Sequence, residues 1–269
     1  MPFEIGLQLF TLRDELEKDF EGTLEQVSKI GLKYVEIAGY YGKSAQELKD
    51  VLSANNLKCV SAHISFDELV SNTQKHADML SVLGAEYVAI PIVSEDYLAG
   101  GHKYGLFLDM LQKMSEVFNQ NGIKLLYHNH DFEFNKYENR YKLDLLFEAL
   151  SVNTLQFEPD TCWIRYAGVD PFRYLQKFEK RCPVVHLKDF ASDSARQSIK
   201  GIENGRYIQN KQADNFMFKP LGQGLMDIKG IINTADILGT KYFIIEQDLS
   251  PERPAIQCVK QSFEYLKNI

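Results

Sequence analysis

Ionisable residues stand two apart at the ends of short apolar runs in this chain. His128 and His130 follow Leu125-Leu126-Tyr127, Glu158 and Asp160 follow Leu155-Gln156-Phe157, His186 and Lys188 follow Val184-Val185, and Glu246 and Asp248 follow Phe243-Ile244-Ile245. Alternate residues of a strand share a face, so each pair presents both members to one side. Two carboxylates on one face are costly unless a cation, a proton or a basic partner neutralises them. Imidazole from His128 and His186 with carboxylate from Asp160 and Glu246 makes a mixed N/O donor set suited to Mn²⁺, Co²⁺, Zn²⁺ or Fe²⁺, whereas Mg²⁺ favours fewer imidazoles. A divalent ion there would polarise a carbonyl or a neighbouring hydroxyl, while Glu246 or Glu158 took the adjacent C–H proton. Lys188 would bind a substrate hydroxyl or meet developing oxyanion charge.

Bringing these groups together requires a particular set of elements. β-rich apolar runs at 3–9, 33–38, 57–63, 86–92, 123–129, 154–159, 183–188 and 241–246 alternate with helical patterns. A helix over 19–30 buries Phe20, Leu24, Val27 and Ile30, and Ser44 with Glu47 forms a capping box for a helix over 45–52. Gly31, Gly84, Gly122 and Gly239 each sit just before the next strand, where a left-handed helix cap is wanted. Eight such units predict one (β/α)₈ barrel over residues 1–269, with an open doubly wound sheet as the alternative. That alternative lacks a Gly-rich phosphate loop after the first strand, at 10–14. Two long connections, 130–141 and 190–224, are expected over the barrel's C-terminal face.

Strand parity then sorts inside from outside. Helices cover a barrel's outer face, so the more apolar set of each strand points outward. That places Gln8, Glu36, His63 (with Cys59 and Ser61), His128, His130, His186, Lys188, Glu246 and Asp248 inward. Every strand but the fourth brings a polar or ionisable group inward near its C-terminal end, where a barrel is otherwise filled with branched apolar side chains.

Composition narrows the partners. At 45% hydrophobic and 25% charged residues the chain is of globular type, without an apolar run long enough for a membrane span. A net charge of −7 repels polyanions, which argues against nucleic acid as a partner. Cys59, Cys162, Cys182 and Cys258 form no Cys-x-x-Cys pair, and the N-terminus carries no secretion signal, so a cytoplasmic location is expected. Barrels of this size often pair, so a homodimer is an expectation that no patch in the sequence marks.

The runs VVHLKD (Val184 to Asp189), EPDTCW (Glu158 to Trp163), YHNH (Tyr127 to His130), LGQG (Leu221 to Gly224), IEQD (Ile245 to Asp248) and GLQL (Gly6 to Leu9) together resemble the xylose isomerase-like, or sugar phosphate isomerase/epimerase, TIM-barrel family. The resemblance spans nearly the whole chain and is nearest to the branch of inosose dehydratases and 3-keto-sugar enzymes. It implies one divalent ion held by Glu, Asp, His and Glu from four strand ends; Asp160, His186 and Glu246 match three of these. The first Glu is the departure, since His128 stands at about its place. The implied function is a metal-dependent isomerase or epimerase acting on a small sugar or keto-sugar. Because metal-bound glutamates are the acid–base pair of the family's ketose epimerases, His128 raises the alternative of a lyase on a keto-inositol or 3-keto-glycoside. The same fold hosts three-zinc apurinic endonucleases, but their Asp-Thr-Cys-His motif ends here in Trp163, and six histidines in the whole chain are too few for such a cluster.

Plainer roles stand beside these. His63 is placed as a substrate contact or a hydrogen-bonded core histidine, and His130 as a substrate contact or, with Glu133, an organiser of the following loop. Glu36 and Gln8 either bind substrate or pair with each other across neighbouring strands. Trp163, Phe10, Tyr40 and Phe134 could offer ring faces to sugar C–H groups or simply pack. Arg165 and Arg196 read as surface residues rather than a phosphate site, and Gly222 and Gly224 as a turn before a helix near Asp227. A metal-free sugar-binding barrel is the alternative from outside enzymology.

Overall fold

A computed structural model describes residues 3–192, 202–203, 206–207 and 216–269. Eight strands, β1 (Glu4–Gln8), β2 (Tyr34–Ala38), β3 (Lys58–His63), β4 (Tyr87–Ile90), β5 (Lys124–His128), β6 (Gln156–Glu158), β7 (Val184–Leu187) and β8 (Tyr242–Ile245), pair in parallel in the order β6-β5-β4-β3-β2-β1-β8-β7. The remaining seam, between β6 and β7, closes irregularly. Pro159 has no N–H to extend a ladder, so the strands meet through an isolated Asp160–His186 bridge, with His186 N–H donating to Pro159 O at 3.0 Å and Phe157 N–H to Arg181 O at 2.8 Å. The result is a barrel ringed by helices, as the strand count predicts.

The helices start and stop where their sequences direct. Asp19 caps Phe20–Ile30 by accepting from Gly22 N–H, and Ser44 and Glu47 form the expected capping box on Ala45–Ala54. Gly31, at φ 108°, ends the first of these in the left-handed conformation. No helix among the described residues is long and apolar enough to cross a membrane.

Two apolar clusters follow from strand parity. Outward residues such as Leu7, Val35, Ile37, Val88, Leu125, Phe157, Val185 and Phe243 join the helices in one large core. Inward residues Val60, Tyr87, Ala89, Leu126, Val184, Tyr242 and Ile244, with Tyr34 against them, form a separate plug. Gly6 makes room for it, since a Cβ there would lie 2.6 Å from Ile244 Cδ1. Above this plug the same inward parity reaches His128, His186 and Glu246.

One parity expectation fails at β3. The register with β2 shifts between Val35↔Cys59 and Glu36↔Ser61, so Val60 is an inserted residue. Cys59 therefore packs in the outer core and Val60 in the inner plug, while the bulge restores Ser61 opposite Glu36. His63 keeps its inward place because it lies beyond the bulge, paired with Ala89 of β4.

In the connection 130–141, Phe132–Phe134 forms a 3₁₀ turn and Lys136–Tyr137 pairs with Arg140–Tyr141. After β7, Asp189–Ala191 pairs antiparallel with Met217–Lys219. Gly222 and Gly224 are part of a cradle. The Asp189 carboxylate accepts from the N–H groups of Phe190, Gly222, Gly224 and Met226 at 2.9–3.0 Å, and a Cβ on Gly224 would fall 2.2 Å from Asp189 Oδ1. The helix Ile228–Ile237 follows, capped by Asp227. Arg196 lies outside the described residues.

Candidate metal centre and cavity

Every strand end but that of β4 contributes to one buried polar cluster. From β1, the Gln8 amide donates to Glu36 Oε2 at 2.8 Å and its oxygen accepts from Phe10 N–H. From β2, Glu36 Oε2 lies 2.6 Å from His186 Nε2 and 3.2 Å from His63 Nε2. From β3, His63 Nε2 is 2.6 Å from Glu158 Oε2. From β5, His128 turns Nδ1 towards Glu158 Oε2 at 3.3 Å and Nε2 towards Asp160 Oδ2 at 3.7 Å. His186 Nδ1 meets Glu246 Oε2 at 2.7 Å. Lys188 Nζ, 1% exposed, stands within 2.9–3.0 Å of Asp160 Oδ2, Glu246 Oε2 and Asp248 Oδ2.

Asp160 has a divided carboxylate. Oδ1 caps the helix Thr161–Tyr166 by accepting from Cys162 and Trp163 N–H, so Oδ2 is the atom presented to Lys188 and His128. The sequence places the cap one residue after a proline that stops the strand, and this holds the carboxylate at the seam.

Electrostatics separates the imidazoles into two kinds. Burial works against charge on His186, but Glu158, Glu36 and Glu246 around it raise its pKa well above the usual value. Burial, then the charges of His186 and His63, pushes His128 well below it, leaving His128 neutral with a lone pair to offer. Burial and Lys188 likewise lower His130 to about 3. Among the carboxyls, burial and the neighbouring Glu36 raise Glu158 to about 7, whereas burial of Glu36 is outweighed by His63 and His186, which bring it to about 2.

The donor set fits a divalent ion. His128, Asp160, His186 and Glu246 each present one ligand atom within 4.8 Å of the others, and so does an overlapping group of His63, His128, Glu158 and His186. Within these two groups, Glu158 Oε1 and His128 Nδ1 are buried without a hydrogen bond, an expense that a cation would relieve.

A cavity of about 310 Å³ opens beside the cluster. Its polar wall comprises His63, His128, His130 and Glu246, with Ser65 and Glu68 near the rim; Phe10, Pro91 and Ile92 form an apolar side. Gln8, Glu36, Glu158, Asp160, His186 and Lys188 belong to the cluster but do not line the cavity. Gln8 and Glu36 are spent on each other and on His186, and the Lys188 ammonium is enclosed by carboxylates rather than facing a ligand. Trp163 is fully buried, 5.5 Å beneath Lys188 Nζ and packed against Phe216. Of the other aromatics, Phe10 lines the cavity, Tyr40 bonds His76 Nδ1 at 3.0 Å, and Phe134 packs on Tyr141 and Tyr174.

Sequence reasoning missed Asn129. Its side chain accepts from Asp160 N–H at 2.9 Å and donates to His130 O at 3.0 Å. The available signal was a polar residue on the outward, otherwise apolar parity set of β5, after Leu125 and Tyr127.

Comparisons with known proteins agree with this architecture. The family model for the xylose isomerase-like TIM barrel matches residues 24–269. An inosose dehydratase of Clostridium beijerinckii is 24% identical over 93% of this chain and 87% of its own length. A sugar phosphate isomerase/epimerase structure from Parabacteroides distasonis superposes with a TM-score of 0.77 at 23% identity, covering 99% of this chain and 98% of its own. A xylose isomerase-like TIM barrel protein from Mycobacterium smegmatis, in complex with magnesium, gives 0.69 at 15% identity, covering 99% and 96%. At these identities the two structures speak for the fold alone.

Proposed function

The chain belongs to the xylose isomerase-like TIM barrel family, and from that premise we propose that it is a metal-dependent lyase that removes water from a small polyhydroxylated ketone of the inosose type. The observation that carries the proposal is the buried His128, Asp160, His186 and Glu246 set, of which His128 and Glu246 line a cavity walled by further histidines. These four residues would hold one divalent ion, which when bound supplies a positive charge to polarise the ketone oxygen. Elimination is preferred to isomerisation or epimerisation on two counts. The similar curated proteins are inosose dehydratases, and by the family resemblance His128 stands at about the place of one of the two glutamates on which a two-base epimerisation depends.

The chain's own groups divide the remaining work. Dehydration needs a base for the C–H proton next to the carbonyl and an acid for the departing hydroxyl on the next carbon. The C–H electron pair becomes the new double bond as the C–O bond breaks, and the hydroxyl leaves as water once protonated. His63 and His130 reach the cavity and can move these protons, with Glu158 holding His63 from behind at 2.6 Å. Glu246 reaches the same wall, and Lys188 keeps the charged oxygens of Glu246 and Asp160 in place. Phe10, Pro91 and Ile92 face the C–H side of a ring.

Metal analysis of the purified protein, with an assay for dehydration of an inosose and for proton exchange in deuterated water, tests the reading. About one ion per chain with activity lost on chelation is expected. A protein that binds the ketone without metal or exchange would instead be a sugar-binding barrel.

A further inference from the structure

The regular ladder between β5 and β6 ends at His128↔Glu158, because the next residue of β6 is Pro159. Beyond that point the Asn129 side chain replaces the missing backbone partner. Its Oδ1 accepts from Asp160 N–H at 2.9 Å; its Nδ2 donates to His130 O at 3.0 Å and lies 3.4 Å from Asp160 O. The other backbone group of His130 is held as well: its N–H donates to Glu133 Oε2 at 2.9 Å, while Glu133 Oε1 accepts from the Tyr127 hydroxyl at 2.9 Å. Asn129 and Glu133 are both fully buried and neither lines the cavity.

We propose that Asn129 is a positioning residue, whose amide, with the Glu133 carboxylate, fixes Asp160 and His130 relative to each other where Pro159 ends the β5–β6 ladder. The proposal rests on the reading of Asp160 as a metal ligand and His130 as a cavity group. Asn129 reaches the ligand through its backbone, so it sets where Oδ2 stands without contributing an atom to the ion. Outer partners of this kind typically change metal affinity about 10- to 100-fold when removed. Of Asp160 and His130, Glu133 touches only His130, so the two members of the clamp have separable effects.

Cobalt titration of the metal-free wild type and of Asn129→Ala, Asn129→Asp and Glu133→Gln tests this, with visible absorption and thermal unfolding recorded on each. Asn129→Ala is expected to bind Co²⁺ about 10- to 100-fold more weakly with an altered visible spectrum. Asn129→Asp, which keeps the acceptor for Asp160 N–H but loses the donor to His130 O, should retain most of the affinity and restore the spectrum. Glu133→Gln should leave Co²⁺ affinity near wild type and lower kcat on the inosose more than it changes KM. Variants that differ from wild type only in unfolding temperature, with the same Co²⁺ affinity, spectrum and kinetics, would overturn the proposal. If Asn129→Ala does not fold, Asn129→Leu, close in size but without the amide, takes its place: weaker Co²⁺ binding with an altered spectrum is expected, and wild-type affinity and spectrum would overturn the proposal. Failure of the wild type itself to bind Co²⁺ would remove the metal reading, and is distinguished by appearing before any substitution is made.

Discussion

The residues that reach the cavity are few, and the chemistry can be tested on them singly. His63→Asn should lower kcat by about 10²- to 10⁴-fold while the protein keeps its metal, because His63 is outside the His128, Asp160, His186, Glu246 set. Loss of the ion in this variant, measured by metal analysis, would move the binding site to the overlapping group of His63, His128, Glu158 and His186. Lys188→Met leaves Asp160, Glu246 and Asp248 buried together without their ammonium, and should cost about 3–5 kcal/mol in urea unfolding. At this scale the sequence revealed which side chains converge, since period-two alternation holds along the strands except at the β3 bulge. It did not reveal which of them face open space. Glu158 and Glu36 share parity with His63, yet only His63 lines the cavity, because the depth of a carboxylate behind an imidazole depends on rotamers and neighbouring strands.

Elements hold these side chains through contacts that alternate patterning does not encode. The Asp189 cradle is one: four N–H groups from both sides of a long connection converge on a buried carboxylate. Asp189→Ala should therefore destabilise by about 3 kcal/mol or more in denaturant unfolding, since it strands several backbone donors. The helix Thr73–Leu83 supplies a second case, where His76 accepts or donates at Tyr40 OH and stacks on its ring at 5.6 Å. Burial lowers the His76 pKa from 6.5, with Glu68 opposing and Lys75 adding to the shift. The unfolded chain thus binds this proton before the folded one does, so stability is present above about pH 6.5 and falls as the pH drops towards the folded value. Urea midpoints between pH 7.5 and 5 should decline more for wild type than for His76→Gln. The helix caps at Asp19 and Ser44 were legible because they depend on residues a few positions apart. The β3 bulge was not, because an inserted Val60 is apolar like its neighbours and only pairing with β2 exposes it.

For the whole molecule, eight apolar runs punctuated by helices sufficed to give the barrel, since parallel strands joined by helices have few closed arrangements. The irregular β6–β7 seam follows from Pro159, whereas the Asn129 bridge from β5 to β6 on the other side of that proline depends on atoms far apart in sequence. A cation bridging β5, β6, β7 and β8 would tie that seam to its neighbours. Saturating metal at about 100 times Kd should then stabilise the fold by about 2.7 kcal/mol, read as a rise in unfolding temperature that a chelator reverses.

The plug of Tyr34, Tyr87, Tyr242 and their aliphatic companions has a bearing on traffic. It corks the barrel on the side away from the histidines, where Glu86 clasps Lys241 and the Tyr242 hydroxyl at 2.6–2.7 Å. The plug closes the lumen behind the cavity, so arrivals and departures are confined to the side of the barrel where the histidines stand. A molecule lingering there after turnover bars the next, and its inhibition should compete with substrate rather than act from behind.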